Sequence, residues 1–157
     1  MVTTETPGRL TLIVGLPGSG KTTLARELAD SMPASRMCPD DWMVASGIDL
    51  WNERARNQIE ACQLTVALDL LRSGCHVVIE WGLWTRGERD AIRHAAAAVG
   101  SSVELRYVTA SVDELWRRIE QRDLEAVRGS RAIRREEVEE WARIFEPPTD
   151  AELAEYA

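Results

Sequence analysis

Short apolar segments alternate with longer amphipathic ones along this chain. The segments that fit buried strands are Leu10–Val14, 35–38, 76–80 and 103–108. The segments with apolar residues at helical spacing are 22–29, 51–73, 86–99, 111–128 and 134–145. Because successive parallel strands need a helix-length connection, this alternation predicts an α/β fold with a parallel central sheet.

Length and composition narrow the class of protein. The 157 residues fit one domain over 1–157, with terminal tails at 1–8 and 146–157. The formal net charge of -7 gives no overall basic field that would hold long nucleic acid. Apolar runs are too short to span a bilayer, and the first eight residues lack a signal-peptide core. Three cysteines without metal-binding spacing fit reduced thiols, so we expect a cytoplasmic protein with no membrane partner.

The most specific motif follows the first strand candidate. Residues 15–22 read Gly-Leu-Pro-Gly-Ser-Gly-Lys-Thr, which matches the phosphate-binding loop pattern G-x-x-x-x-G-K-S/T. The backbone N–H groups of such a loop and the N-terminus of the helix after it attract phosphate. The predicted phosphate-binding residues are Gly15, Pro17, Gly18, Ser19, Gly20, Lys21, Thr22 and Thr23.

Lys21 is the only lysine among the 19 basic residues, and all the others are arginine. A compact ammonium on a flexible stem can follow a phosphate during transfer, whereas a planar guanidinium is wider and more rigid. We therefore predict a catalytic role as well as a binding role for Lys21.

Carboxylates follow the second and third strand candidates. In open parallel sheets ligands bind beyond the carboxyl ends of the strands, where Asp40, Asp41 and Glu80 lie. Phosphoryl transfer needs magnesium and a carboxylate that orients the acceptor. Thr22 is predicted to hold the metal with Glu80, which acts directly or through water. One of the two aspartates can begin a helix and the other can accept a proton from a hydroxyl, and for the second role we favour Asp40.

Arginines are concentrated in the fifth predicted helix and just after it. Arg118 and Arg122 are four residues apart, so they share one helix face. Two guanidiniums on one face can clamp phosphates and stabilise the charge that develops in transfer. The outer arginines have acidic neighbours and fit a solvated face: Arg117, Arg128, Arg131, Arg134 and Arg135.

Four segments in order resemble small P-loop kinases and AAA-type ATP-binding proteins. They are 12–26, 39–42, 77–80 and 114–122. The resemblance is to the group that includes the phage polynucleotide 5′-kinase domain, zeta-toxin-like kinases and chloramphenicol phosphotransferase. It implies a P-loop NTPase-type three-layer sandwich with about five parallel strands, a helical lid, ATP and Mg²⁺. The lid region would be 111–135.

The resemblance also implies roles for three residues. Asp40 matches the general base of the polynucleotide kinases. Arg122 matches their lid arginine, which reaches the transferring phosphate, and Arg118 matches a second lid arginine. The chain departs from the polynucleotide kinases at Met43, where they have arginine, and at 80–82, where Glu-Trp-Gly replaces Asp-x-Asn. Both departures remove polar groups from the acceptor side and count against a polynucleotide substrate.

Tryptophans are frequent beyond the predicted strand ends, at Trp42, Trp51, Trp81 and Trp84. Aromatic walls with a few polar groups are typical of small-molecule pockets, although bases of a single strand could stack on them equally. A third reading is that two or more simply cover the core. The predicted acceptor contacts are Asp40, Asp41, Trp42, Trp81 and Trp84.

Together these features predict a kinase that moves the γ-phosphoryl group of ATP to a hydroxyl of a small molecule. The negative net charge favours this function over the alternative, a polynucleotide 5′-hydroxyl kinase. A nucleotide-binding regulatory module with little turnover is a further alternative. Such a module would need segments that sense the γ-phosphate, and the sequence has no clear signature of them.

Overall fold

The computed structural model describes residues 6–125 and 131–157. Within these ranges four parallel strands form one sheet in the order β2-β3-β1-β4. The strands are β1 (Leu10–Val14), β2 (Ala34–Met37), β3 (His76–Ile79) and β4 (Val103–Tyr107). The helices are α1 (Lys21–Ser31), α2 (Pro39–Ala45), α3 (Glu53–Arg72), α4 (Arg86–Ala98), α5 (Val112–Glu125), α6 (Arg135–Ile144) and α7 (Asp150–Leu153).

The α/β fold with a parallel sheet is confirmed. Predicted and observed strands agree to within one residue, and the helices agree to within two where both ends are described. The predicted end of the fifth helix at 128 lies outside the described residues. The described sheet has four strands where about five were expected, because the described chain beyond β4 forms only helices and connecting segments.

Helices cover both faces of the sheet. β1 is buried along its whole length, and its side chains alternate between two cores. Leu10, Leu12 and Val14 pack in the larger core with apolar side chains of α3, α4, α5 and α6. Ile13 packs in the smaller core with Ala25 of α1. This is the three-layer arrangement expected for the chain, and none of its described helices is long and apolar enough to cross a membrane.

A buried ion pair fastens the segment 146–157 to the domain. The side chains of Arg89 in α4 and Glu152 in α7 are each 1% exposed. Arg89 donates from Nε to Glu152 Oε1 at 2.6 Å and from Nη2 to Oε2 at 2.9 Å. Its Nη1 donates to the carbonyl of Leu83 at 3.1 Å, in the loop after β3. Leu83 has a φ of 46°, a conformation rare outside glycine, so the ion pair supports a strained point of the backbone.

We predict that Glu152→Ala lowers the free energy of unfolding by about 3–5 kcal/mol, because it leaves a buried guanidinium without a counter-charge. Denaturant unfolding followed by tryptophan fluorescence measures this loss. Glu155→Ala is the matched control, since Glu155 pairs with Arg86 and Arg93 nearer the surface, where ion pairs contribute about 0.2–1 kcal/mol. Equal losses in the two variants would contradict the importance assigned to the buried pair.

Candidate active site

Residues 15–20 form a glycine-rich turn between β1 and α1. Gly18 and Gly20 have φ angles of 83° and 100°, in the left-handed region that favours glycine. A Cβ atom at Gly15 would lie 2.3 Å from the carbonyl oxygen of Val108, so that only glycine fits there. The hydroxyl of Ser19 is buried and has no hydrogen-bond partner among the described residues. The turn leads directly into the N-terminus of α1, which makes it suited to bind an anion.

Lys21 lies among the charged groups of the site. Its ammonium donates to the carbonyl of Leu16 at 3.1 Å. Burial lowers the pKa of Lys21 to about 8; the charges of Glu80 and Asp40 oppose this shift, and that of Arg122 adds to it. Asp40, Glu80 and Arg122, which the sequence predicts as site residues from three separate segments, are therefore near enough to affect the pKa of Lys21.

Thr22 and Glu80, the predicted metal-holding residues, are in contact. Thr22 Oγ1 donates to Glu80 Oε1 at 3.2 Å. Glu80 Oε2 is buried and has no partner among the described residues. Hydroxyl and carboxylate oxygens are the ligands that Mg²⁺ prefers, and a buried carboxylate oxygen needs a cation or a water. These residues therefore fit magnesium, bound to Glu80 directly or through water.

Arg36 of β2 contacts both Glu80 and Asp41. It was not among the predicted site residues. Its Nη1 donates to Glu80 Oε1 at 2.8 Å, and its Nη2 pairs with Asp41. Glu80 also affects the thiol of Cys38, the residue directly after β2. Burial and the neighbouring Glu80 raise the pKa of this thiol to about 12, so it stays protonated. The only signal of Arg36 in the sequence is a charged side chain within the predicted strand that leads to the two aspartates.

Asp40 pairs with a second arginine that sequence reasoning missed. Arg56 of α3 donates from Nη1 to Asp40 Oδ1 at 2.6 Å and from Nη2 to the carbonyl of Leu50 at 2.9 Å. Within the described chain no residue donates to Asp40 Oδ2. Met43, at the position where polynucleotide kinases have arginine, is fully buried. The guanidinium next to the proposed base therefore comes from α3 rather than from position 43.

The two arginines proposed for the lid have different surroundings. Arg118 donates from Nη1 to the carbonyls of Gly18 and Ser19, at 3.3 and 3.2 Å, and from Nε to Glu114 at 2.6 Å. These bonds hold α5 against the phosphate loop. Arg122 is exposed, and no described residue forms a hydrogen bond or ion pair with it.

The outer arginines that are described pair with acidic side chains, as expected of a solvated face. The pairs are Arg117 with Glu114, Arg131 with Glu137, Arg134 with Glu137, and Arg135 with Asp113. Arg128 lies outside the described residues, as do the other residues of 126–130 in the lid region.

Two of the tryptophans beyond the strand ends contribute to the core. Trp81 is 5% exposed, and its indole N–H donates to Gln63 Oε1 at 2.9 Å. The prediction of an acceptor contact is therefore corrected for Trp81, because its ring is enclosed by the core. Trp84 is half-buried and packs on Trp141, with ring centroids 6.1 Å apart.

The other two tryptophans are partly exposed. Trp42 on α2 is 38% exposed. Trp51 is 36% exposed, and the guanidinium of Arg131 lies 3.7 Å from its ring centroid. Trp42 is thus the predicted acceptor contact with the most accessible ring.

A phosphate loop seated between a buried parallel strand and a helix is the defining feature of P-loop nucleotide-binding proteins. Carboxylates at the neighbouring strand ends and arginines on a helix beside the loop make this fold kinase-like. The sequence matches the AAA domain family AAA_33 over residues 10–148, and the chain belongs to this family. No curated protein matches the sequence.

Solved structures of kinases share this fold. A chain of the Pnkp1/Rnl/Hen1 RNA repair complex is similar at a TM-score of 0.78 and 18% identity, over 99% of this chain and 48% of that one. This chain therefore spans about half the length of that relative. A sugar kinase from Janibacter sp. HTCC2649 is similar at a TM-score of 0.62 and 20% identity, over 93% of this chain and 82% of that chain. A gluconokinase from Sinorhizobium meliloti 1021 has a TM-score of 0.59 and 19% identity, over 93% and 79%.

We predict that Gly15→Ala weakens ATP binding and stability together, because the added methyl group meets a backbone carbonyl that cannot turn away. The expected loss of stability is about 1–3 kcal/mol, as for overpacked sites. Calorimetric titration with ATP and thermal unfolding measure the two effects. Gly87→Ala is the control, since its Cβ would meet nothing closer than 4.0 Å. Wild-type ATP affinity in Gly15→Ala would contradict the tight fit at this turn.

Proposed function

We propose that this protein is a magnesium-dependent kinase that transfers the γ-phosphoryl group of ATP to a hydroxyl of a small molecule. The observation that carries the proposal is the group of contacts beyond the strand ends, where Thr22 at the end of the phosphate loop donates to Glu80 at 3.2 Å and Asp40 is held by Arg56. The charges of Glu80, Asp40 and Arg122 also act on the pKa of Lys21, which agrees with this grouping. Phosphoryl transfer is catalysed mainly by positioning and by charge stabilisation, and these groups have the required signs. The kinase folds of the similar structures support the same class of reaction.

The phosphate loop and Lys21 bind the phosphates of ATP. The backbone N–H groups of 15–22 other than Pro17 would surround the phosphates, and the ammonium of Lys21 would reach the β- and γ-phosphates. Its contact with the carbonyl of Leu16 holds the ammonium over the loop before ATP arrives. Phosphate oxygens would replace this neutral acceptor with negatively charged ones, so that both partners of the bond are ionised.

Asp40 orients the acceptor hydroxyl and takes its proton. Arg56 holds Asp40 Oδ1, while Oδ2 has no donor among the described residues and is open to a hydroxyl. Asp41 is less suited to this role, because its carboxylate pairs with Arg36. The charge of Asp40 also acts on Lys21, which supports a position close to the phosphates.

Thr22 and Glu80 would hold magnesium, which would supply positive charge against the phosphates during transfer. The hydrogen bond from Thr22 Oγ1 to Glu80 directs the hydroxyl proton away and leaves the oxygen lone pairs for the metal. Arg122 contacts the transferring phosphoryl group, since it is the lid arginine without a described partner. Arg118 fixes the loop through the carbonyls of Gly18 and Ser19.

The acceptor side favours a small molecule. The chain carries a formal net charge of -7, and the two arginines that contact Asp40 and Asp41 are each paired with these carboxylates. A polyanionic strand would find few unpaired cations there. The second candidate function is a polynucleotide 5′-hydroxyl kinase, favoured by the similarity to a chain of an RNA repair complex. A regulatory nucleotide-binding module remains as a third outcome of the experiments below.

We predict ATP-dependent gain of one phosphate by a small hydroxyl compound. A panel of sugars, nucleosides, hydroxylated antibiotics and 5′-hydroxyl oligonucleotides, incubated with ATP and Mg²⁺, can be read by mass spectrometry. Oligonucleotide binding at increasing salt gives a second readout, because phosphate contacts make affinity fall steeply with salt. Phosphorylation of oligonucleotides alone, with a steep salt dependence, would support the second candidate. Tight ATP binding without turnover on any acceptor would support the regulatory module.

We predict that Asp40→Asn lowers the transfer rate on the acceptor so found by roughly 10²–10⁴-fold, the usual contribution of a general base, while ATP affinity stays near wild type. Lys21→Ala should abolish transfer. Asp69→Asn is the matched control, because Asp69 is an exposed carboxylate that pairs with Arg72 on α3. Transfer by Asp40→Asn at the wild-type rate would reject Asp40 as the base.

A further inference from the structure

Arg36 connects two carboxylates that belong to different sides of the site. Its Nη1 donates to Glu80 Oε1 at 2.8 Å, and its Nη2 pairs with Asp41. The side chains of Arg36 and Glu80 are only 16% and 2% exposed. A pair at this depth is weakly screened by water, so its geometry is held more firmly than that of a surface ion pair.

On one side Arg36 reaches the groups that fit magnesium. Glu80 Oε1 accepts both the hydroxyl proton of Thr22 and an N–H of Arg36. Glu80 is thereby fixed in the position from which it directs the Thr22 lone pairs toward a cation, and its Oε2 remains unpaired and buried. Groups that orient a metal ligand in this way set the affinity for the metal as well as its place.

On the other side Arg36 reaches the first turn of α2. Asp41 is adjacent to Asp40, so the ion pair with Arg36 fixes the helix turn that carries the proposed base. The backbone adds a second link here, because the N–H of Glu80 donates to the carbonyl of Met37 at 3.2 Å. One planar guanidinium therefore spans from the metal-holding carboxylate to the acceptor-side helix.

The geometry points to Arg36 as a positioning residue that couples the metal side of the site, Thr22 and Glu80, to the acceptor side at Asp41. This inference rests on the proposed function. It adds that Arg36 sets the Mg²⁺ concentration at which the site binds the nucleotide. Arginine suits the task because its rigid fork presents separate N–H groups to two carboxylates at once. A lysine offers a single point of charge and cannot hold both in fixed directions.

The experiment measures binding of a non-hydrolysable ATP analogue during Mg²⁺ titration, which requires no acceptor. Arg36→Lys keeps the charge and removes the fork. We expect it to raise the Mg²⁺ concentration for half-maximal binding by about 10–100-fold, the range for residues that orient metal ligands. Affinity for the analogue without metal should stay at the wild-type value, because the phosphate loop is unchanged.

Two further variants test the coupling. Asp41→Ala leaves Arg36 and Glu80 in place and removes only the acceptor-side partner, so we expect a smaller shift in the same direction. The double variant should need no more Mg²⁺ than Arg36→Lys alone, because both changes break one linkage. Arg72→Lys is the control, since Arg72 is an exposed arginine paired with Asp69 on α3. Its Mg²⁺ requirement should equal that of the wild type.

Specific results would overturn the inference. An unchanged Mg²⁺ requirement in Arg36→Lys would show that Arg36 contributes only its positive charge and does not position the metal ligands. A parallel loss of melting temperature and metal-free affinity would make its role only structural. Additive shifts in the double variant would reject the coupling. Failure of the wild type to bind the analogue would reject the proposed function and this inference together, whereas normal binding without transfer to any acceptor would reject the kinase function alone.

Discussion

The parallel pairing of β3 with both β1 and β2 is the constraint on which the site depends. Leu12 of β1 and Met37 of β2 are both in register with Ile79 of β3. β2 and β3 therefore end at one level, and β1 runs two residues further, to Val14, beside β4. The first turn of α2, Glu80 and the phosphate loop follow these three strand ends. A slip of two residues in either pairing would move these groups apart by about 7 Å, beyond the reach of the hydrogen bonds among them.

At the carboxyl ends of these strands, acidic and basic side chains pair with each other in the absence of a ligand. Each carboxylate of the site is held by an arginine from another element, Glu80 by Arg36 and Asp40 by Arg56. These pairs let acidic groups remain near a phosphate-binding lysine without a net negative field at the loop. An acidic chain can therefore present a locally neutral site to a polyanion, and within the described residues Lys21 and Arg122 form no ion pair.

Features that follow local rules could be predicted from the sequence, and features that depend on distant partners could not. The phosphate loop and the strand-end positions of Asp40 and Glu80 could be predicted, because each strand is followed directly in the sequence by its turn and helix. Arg36 meets Glu80 from 44 positions away, and Arg89 meets its carboxylate from 63 away, so spacing carries no sign of either pair. The position of Trp81 beyond a strand end predicts a contact with the acceptor, but it does not determine the direction of the ring, which packs in the core.

The pair of Arg89 with Glu152 has a consequence for the order of events during synthesis. Arg89 lies in the first turn of α4, yet its counter-charge is supplied 63 residues later in the chain. Until residue 152 has emerged from the ribosome, α4 cannot settle on the sheet without burying a bare cation, which is strongly unfavourable. The C-terminal turn therefore favours the docking of α4 by supplying the counter-charge of Arg89, although it belongs to a segment made after the phosphate loop and β1.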